Sequence, residues 1–458
     1  MIVKRLAVFI GIQNGGIIHM KKRNVSVMLA AAAAVTVLAG CSGTGTKTET
    51  TTAAPATESA AAAAGESKEV SGEKTKLKLA LWDYDVEGSV YPAMMEAFNQ
   101  KYPNIEVEVI NAPANDYETK LTTMLVSGDD IDVYFAKSNS SYPTLVQKNF
   151  ALDLNAAAKE KGFDLTPYGT VLEQHYVIDG GLYALPFRTN DWVIYYNKKI
   201  FDDAGVAYPT NDMTWEQFFE LGKQLSHDDV YGCAFYPKPG FIAPCLVGAV
   251  NGFDITSSDF NELVPAASKV MAAMKDGVWE DYAESVSMSK DQTYFYQGKW
   301  GMLYNGSWMT QLLEAQDLGF EYGIVKSPYW EGTEKKGFAT STPVLINPKT
   351  EKLDAAWDLM TFLCGEEGAK IVAESMLVPG YMSDEIMTTF KESTGLDESS
   401  MEALTDNISY GLGEASVNLG QMSSAVNEEL ELVLTDNQSP EEMADNLNTR
   451  REEILSQN

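Results

Sequence analysis

The chain of 458 residues is poor in cysteine, histidine and positive charge. After Cys41 only Cys233, Cys245 and Cys364 remain, an odd number that implies no disulfide framework. Cys233 and Cys245 are then either bridged to each other or buried thiols. Beyond the N-terminal segment the only histidines are His175 and His227. No HExxH, G-x-S-x-G or P-loop occurs, so zinc-peptidase, nucleophile-elbow and phosphate-cradle chemistry have no motif, and no cofactor is indicated. Lys and Arg number 34 against 65 Asp and Glu, a net charge of −31. Such a surface repels nucleic acid and anionic headgroups. It mildly disfavours an anionic ligand too, although a local field can override a global one. A long apolar run capable of crossing a bilayer is missing beyond the N-terminus.

The N-terminus reads as an export signal. Met20-Lys21-Lys22-Arg23 is a basic start, Val25 to Leu38 is apolar and uncharged, and Leu38-Ala39-Gly40-Cys41 ends the run in small residues before a cysteine. This resembles the bacterial lipobox, in which the cysteine is lipidated and becomes the mature N-terminus. Residues 1–19 then lie upstream of the start at Met20. Removing residues 1–40 takes away five basic groups and no acidic one, giving −31 − 5 = −36. From Ser42 to about Lys76 the composition is Thr, Ala, Ser, Gly and Glu without an aromatic residue, too little apolar surface to fold. Such a tether reaches roughly 30–35 Å as a flexible coil. The expected location is outside the cytoplasm, on the membrane through a lipid anchor alone.

From Leu77 onward strand and helix patterns alternate, as in an α/β fold. Leu77–Leu81 alternates as a strand; Tyr91, Met94, Met95, Phe98 and Tyr102 mark a helix face; Ile105, Val107 and Val109 a second strand. Tyr117, Leu121, Met124 and Leu125 mark a second helix and residues 131–135 a third strand, completing a βαβαβ unit whose ligand edge lies after Leu81 and Phe135. Residues 192–196 begin another strand. Thr214-Trp215-Glu216-Gln217 and Ser439-Pro440-Glu441-Glu442 read as capped helix starts. About 375 ordered residues exceed what one core usually supports, so two lobes are expected.

The order of several segments resembles the extracellular solute-binding proteins of family 1, the carbohydrate-binding type that serves ABC importers. Tyr183-Ala184-Leu185-Pro186-Phe187 precedes Val193–Asn197 (VIYYN), Lys198, Phe201, Ala204-Gly205, Pro209 and Thr214-Trp215. Gly298-Lys299-Trp300-Gly301-Met302 with Gly306-Ser307-Trp308 follows, then Ala355-Ala356-Trp357, Phe362-Leu363, Glu366-Glu367-Gly368 and Pro379. The resemblance implies a two-lobed periplasmic-binding-protein-like fold of class II, with a ligand cleft between lobes joined by crossover segments. Lobe 1 would take 77–187 with 329–375, and lobe 2 188–326 with 377–455. It also implies a monomer that delivers its ligand to the transmembrane subunits of a permease.

Sugars present hydroxyl rims and apolar C–H faces, so their sites combine planar hydrogen-bonding groups with aromatic platforms. The resemblance puts Trp308 at the cleft, as a platform or packed beneath its turn, with Asn305 beside it either on ligand or forming the turn. Trp300 reads as core. At the crossover Asn190 matches a polar ligand contact of the sugar binders, while Arg188 and Asp191 would do likewise or pair with each other. After the first strand come Trp82, Asp85 and Glu87, as ligand groups or as an acidic loop over a core Trp; after the third comes Asn139. Tyr236, Phe241, Phe338, Thr340 and Tyr381 complete the expected lining. Another small solute such as a polyamine or phosphate ester is the alternative, and a glycan-active enzyme has no carboxylate pair singled out by spacing. Iron binding through Tyr195-Tyr196 would need both on one side, whereas neighbours on a strand face opposite ways.

Overall fold

The computed structural model describes residues 74–457, apart from 138–139, 170–171, 173–174 and 406–408. Cys41 and Asn139 lie outside the described residues, as do the export signal and nearly all of the tether.

The βαβαβ unit forms from the pattern just given. Strands β1 (Thr75–Trp82), β2 (Ile105–Ala112) and β3 (Val133–Phe135) are parallel, with Thr75 opposite Ile105 and Leu79 opposite Val133. The helix Tyr91–Lys101 carries proline in its first turn, where a missing N–H costs nothing, and buries Tyr91, Met94, Met95 and Phe98. The helix Tyr117–Ser127 stops at Gly128, which turns left-handed at φ 81° and donates its N–H to Leu125 and Met124 carbonyls.

Nine strands form one continuous sheet, ordered β2-β1-β3-β10-β6-β8-β7, with β9 on β6 and β11 (Ser409–Tyr410) on β10. The small pair β4 (Val177–Ile178) and β5 (Gly181–Leu182) stands apart. Two long strands join the halves. β6 (Leu185–Asn197) begins beside β10 (Gly337–Ile346) and ends between β8 (Met302–Gly306) and β9 (Tyr322–Lys326), with β7 (Ala234–Phe235) beyond β8. β6 starts seven residues earlier than the apolar run at Trp192 suggests. Its first part contains Pro186, which faces Pro343 where the β6–β10 register shifts. Neither proline can donate to the ladder, so the pairing is irregular there.

Three apolar clusters flank this sheet. The first draws on residues 77–187 and 344–377. The second spans 192–338 with the helices Leu419–Leu434 and Pro440–Leu455. The third gathers Val193, Tyr195, Trp300 and Leu303 with residues 369–404. Trp300 is 1% exposed and stacks on Tyr294 at 5.7 Å, a core residue. Cys233, Cys245 and Cys364 are all buried free thiols. Both expected capping boxes form: Thr214 with Gln217 opens the helix Trp215–Leu225, and Ser439 with Glu442 opens the helix Pro440–Leu455.

Candidate functional site

The crossover strand β6 organises the site. Alternate side chains of a strand share a face, so Arg188, Asn190 and Trp192 lie together and Thr189 and Asp191 lie opposite. Arg188 Nε and Asn190 Nδ2 both donate to the Thr342 hydroxyl of β10, at 3.4 and 3.3 Å. Thr189 instead donates to Asp191 at 3.4 Å. Arg188 and Asp191 therefore do not pair, because the strand points them apart. Asn190 is 5% exposed, and its Oδ1 has no hydrogen-bond partner among the described residues. The neighbouring Trp192 Nε1 is also buried and unsatisfied. A buried amide oxygen without a donor costs on the order of 1–3 kcal/mol, which a ligand hydroxyl placed there would recover.

Trp192 is the centre of an aromatic group. Its ring lies 4.7 Å from Phe241, 5.6 Å from Phe338 and 5.7 Å from Trp308, all edge to face. Tyr236 leans on Phe241 at 4.6 Å. Trp308 is half-buried and packs against both the first and the second cluster, unlike Trp300. The Gly-Ser-Trp turn explains its pose. A methyl on Gly306 would fall inside the Trp308 ring, so only glycine lets the indole fold back over the chain. Ser307 N–H then donates to Asp191 O at 2.7 Å, tying the turn to the crossover. Asn305 takes the turn-forming role: its Oδ1 accepts from Gly306 N–H at 2.8 Å and its Nδ2 reaches Met309 Sδ at 3.7 Å.

The loop after β1 stands opposite. Trp82 packs as core among Tyr91, Tyr117 and Phe135. Asp83 adopts φ 52° and accepts from Ala114 N–H at 2.9 Å, while Asn111 Nδ2 donates to Asp85 at 3.0 Å. Asp85 and Glu87 are exposed. Gly88 O accepts from Gln311 Nε2 at 2.9 Å, a bond joining this loop to the helix Met309–Glu314. On the other side Gly420 packs so tightly on Ser140 and Thr144 that a methyl would come within 2.8 Å of Ser140 O.

Thr340 and Phe338 line a small recess with Ser140, His175 and Leu412. Burial pushes His175 down to about 4. A wider, open groove runs between Glu118, Thr144 and Asn427. The Tyr381 ring meets Tyr168 at 5.7 Å and packs against the first and third clusters, while the preceding Pro379 and Gly380 pair with Arg188 and Phe187 of the crossover. The structure thus gathers Trp308, Phe241 and Phe338, with Tyr236 behind Phe241, around Trp192, while Asn190 and then Arg188 continue the same strand face and Thr340 lies opposite Asn190 in the ladder. Sequence reasoning missed Trp192 as a centre, Thr342 and Lys137. Lys137 directly follows the β3 end, where the sequence pattern already places the ligand edge, so its position is a usable signal. Tyr195 and Tyr196 face opposite ways: Tyr195 Oη meets Thr310 at 2.9 Å, and Tyr196 covers Gly323. Among the described residues no group of three or more His, Cys, Asp or Glu could hold a metal.

Residues 82–370 match the family of bacterial extracellular solute-binding proteins. A sugar transporter from Rhizobium etli, solved in an open conformation, is 31% identical and superposes with a TM-score of 0.71 over 82% of this chain and 99% of that one. The ABC substrate-binding protein of Listeria monocytogenes in complex with cycloalternan is 23% identical with a TM-score of 0.74, over 84% and 99% of the two chains. The maltotriose-binding protein of Pyrococcus abyssi is 20% identical over 350 residues, 72% of this chain and 69% of that protein. The chain belongs to the bacterial extracellular solute-binding proteins, and its fold is their two-lobed α/β architecture.

Proposed function

We propose that this protein captures a sugar or oligosaccharide outside the cytoplasm and delivers it to the transmembrane subunits of an ABC importer. The observation that carries this reading is the crossover face. Asn190 Oδ1, buried and without a donor among the described residues, stands beside an aromatic group in which Trp308 is half-buried and touches two cores. An orphan acceptor next to an aromatic edge suits a ring with hydroxyls on its rim and C–H bonds on its face. The names of the relatives, a sugar transporter and binders of cycloalternan and maltotriose, agree with it. Lobe 1, residues 77–187 with 329–375, would close on lobe 2, residues 188–326 with 377–455, and the closed form would be what the permease recognises. The role is binding without turnover, by a monomer. Cys41 would carry the lipid that holds the domain at the membrane, which the mass of the N-terminal peptide from cell-derived protein would check.

The test is a thermal-shift screen against a panel of mono- and oligosaccharides, with a polyamine and a phosphate ester as contrasts. Ligand that binds only the folded chain must raise the melting point, by about 2.7 kcal/mol of stability at a hundred times its Kd. If a polyamine or phosphate ester shifts it while no carbohydrate does, the substrate class is wrong.

A further inference from the structure

Three arginines lie among the described residues. Arg450 pairs with Glu428 at 2.6 Å and Glu429 at 3.0 Å, and Arg451 with Glu452 at 3.5 Å. Arg188, in a chain with 65 acidic residues, pairs with no described carboxylate; the bond it donates goes to the Thr342 hydroxyl at 3.4 Å. It stands half-buried at the crossover, where burial pushes the guanidinium below its ordinary range and Tyr91 acts the other way. The nearby acids are used otherwise. Asp191 lies on the opposite strand face, and Asp83 is engaged by Ala114 N–H. A cation drawn out of water without a counter-charge destabilises the fold, so an anion supplied by a ligand would be favoured there.

Two further cations, Lys137 and Lys238, lie close enough to feel each other's charge. Lys137 is half-buried at the end of β3, donates to Ala114 O at 2.7 Å and lies 6.0 Å from the Trp82 ring, again without a described carboxylate partner. Burial lowers its pKa, and the charge of Lys238 adds to that, against Glu118 and Asp83. Lys238 itself rests over Tyr236 at 5.6 Å, from the far side of the cleft.

We propose that the cleft takes an acidic saccharide, one bearing a uronate, whose carboxylate is gripped by the Arg188 guanidinium while Asn190 Oδ1 accepts from an adjoining sugar hydroxyl. The proposal rests on the carbohydrate reading above and narrows its substrate class. A planar guanidinium matches a planar carboxylate with two parallel bonds. A phosphate dianion would bring twice the charge into a protein already at −31.

The test pairs each of several uronates (glucuronate, galacturonate, mannuronate and their short oligomers) with its neutral counterpart, by thermal shift and then calorimetric titration. At least one uronate is expected to bind roughly tenfold tighter than its neutral partner, the worth of a charge-assisted bond, with affinity falling as salt rises. Arg188→Gln should remove that preference while the unliganded melting point does not fall, because no partner loses a salt bridge. Should that variant fail to fold, the salt dependence of the unaltered protein decides. If every neutral sugar binds as tightly as its uronate, or if sn-glycerol 3-phosphate outcompetes all uronates, the proposal is overturned. Neutral binding alone leaves the sugar reading standing; no saccharide binding at all removes both.

Discussion

Trp308 owes its position to a neighbour with no side chain. The ring folds over Gly306 and meets Trp192 and Phe241 edge to face, which holds one indole face in place and leaves the residue only half-buried. Trp308→Ala should therefore weaken sugar binding by at least about 2 kcal/mol, roughly thirtyfold, if the ring is a central contact. Gly306→Ala makes a sharper companion, since it leaves the indole in the protein but forces it out of its pose. It should lose affinity comparably and lower stability by about 1–3 kcal/mol through overpacking. Titration calorimetry and melting curves on both variants check this. Unchanged affinity in both would mean that Trp308 merely fills space between the two cores. At this scale the sequence was only half legible: the GSW turn could be placed at the end of a strand, but which of Trp308 and Asn305 faces a ligand depends on strand parity and on the Met309 and Gly306 contacts of Asn305. Asn190 is identifiable by position, whereas its buried setting, with Nδ2 donating to Thr342 152 residues away and Oδ1 left without a described donor, depends on chain far off in sequence.

Elements are legible in the sequence where local physics decides them. The Thr214 box forms as its four residues dictate: Gln217 N–H donates to Thr214 Oγ1 at 3.2 Å and Thr214 N–H to Gln217 Oε1 at 2.9 Å. It opens a helix that buries Trp215, Phe218 and Leu225 in the second cluster. Thr214→Ala should cost about 1 kcal/mol in chemical denaturation, with the denaturant slope unchanged. A loss under a few tenths would show that packing of Trp215 alone sets the helix start. The periodic strands β1 and β2 were likewise evident, since apolar alternation repeats every two residues. The full length of β6 is not legible in the sequence. Its first half contains a proline and two half-buried polar residues, and it is a strand only because β10, far away in sequence, lies beside it. Pairing between segments about 150 residues apart leaves no local mark. The same long-range pairing is what makes the crossover, and so the site, hard to see in one dimension.

On the scale of the molecule, two lips meet around the crossover. Gln311 on one side reaches Gly88 O at 2.9 Å, and Gly420 on the other packs on Ser140 and Thr144. Both contacts join the β1–β3 half to the half containing Trp308, so they exist only while the two halves are close. Interactions present in one conformation alone shift the equilibrium toward it by their own free energy and no more. The Gln311 bond is neutral and exposed, so it should be worth about 0.5–1 kcal/mol. Gln311→Ala should then weaken sugar binding roughly two- to fivefold, mainly through faster release. In small-angle scattering the unliganded variant should have a larger radius of gyration than the unaltered protein, and saturating ligand should bring the two together. Loss of affinity with no difference in radius would instead make Gln311 a ligand contact. No change in either would mean that the lips meet without contributing to closure, leaving the work to the crossover face itself.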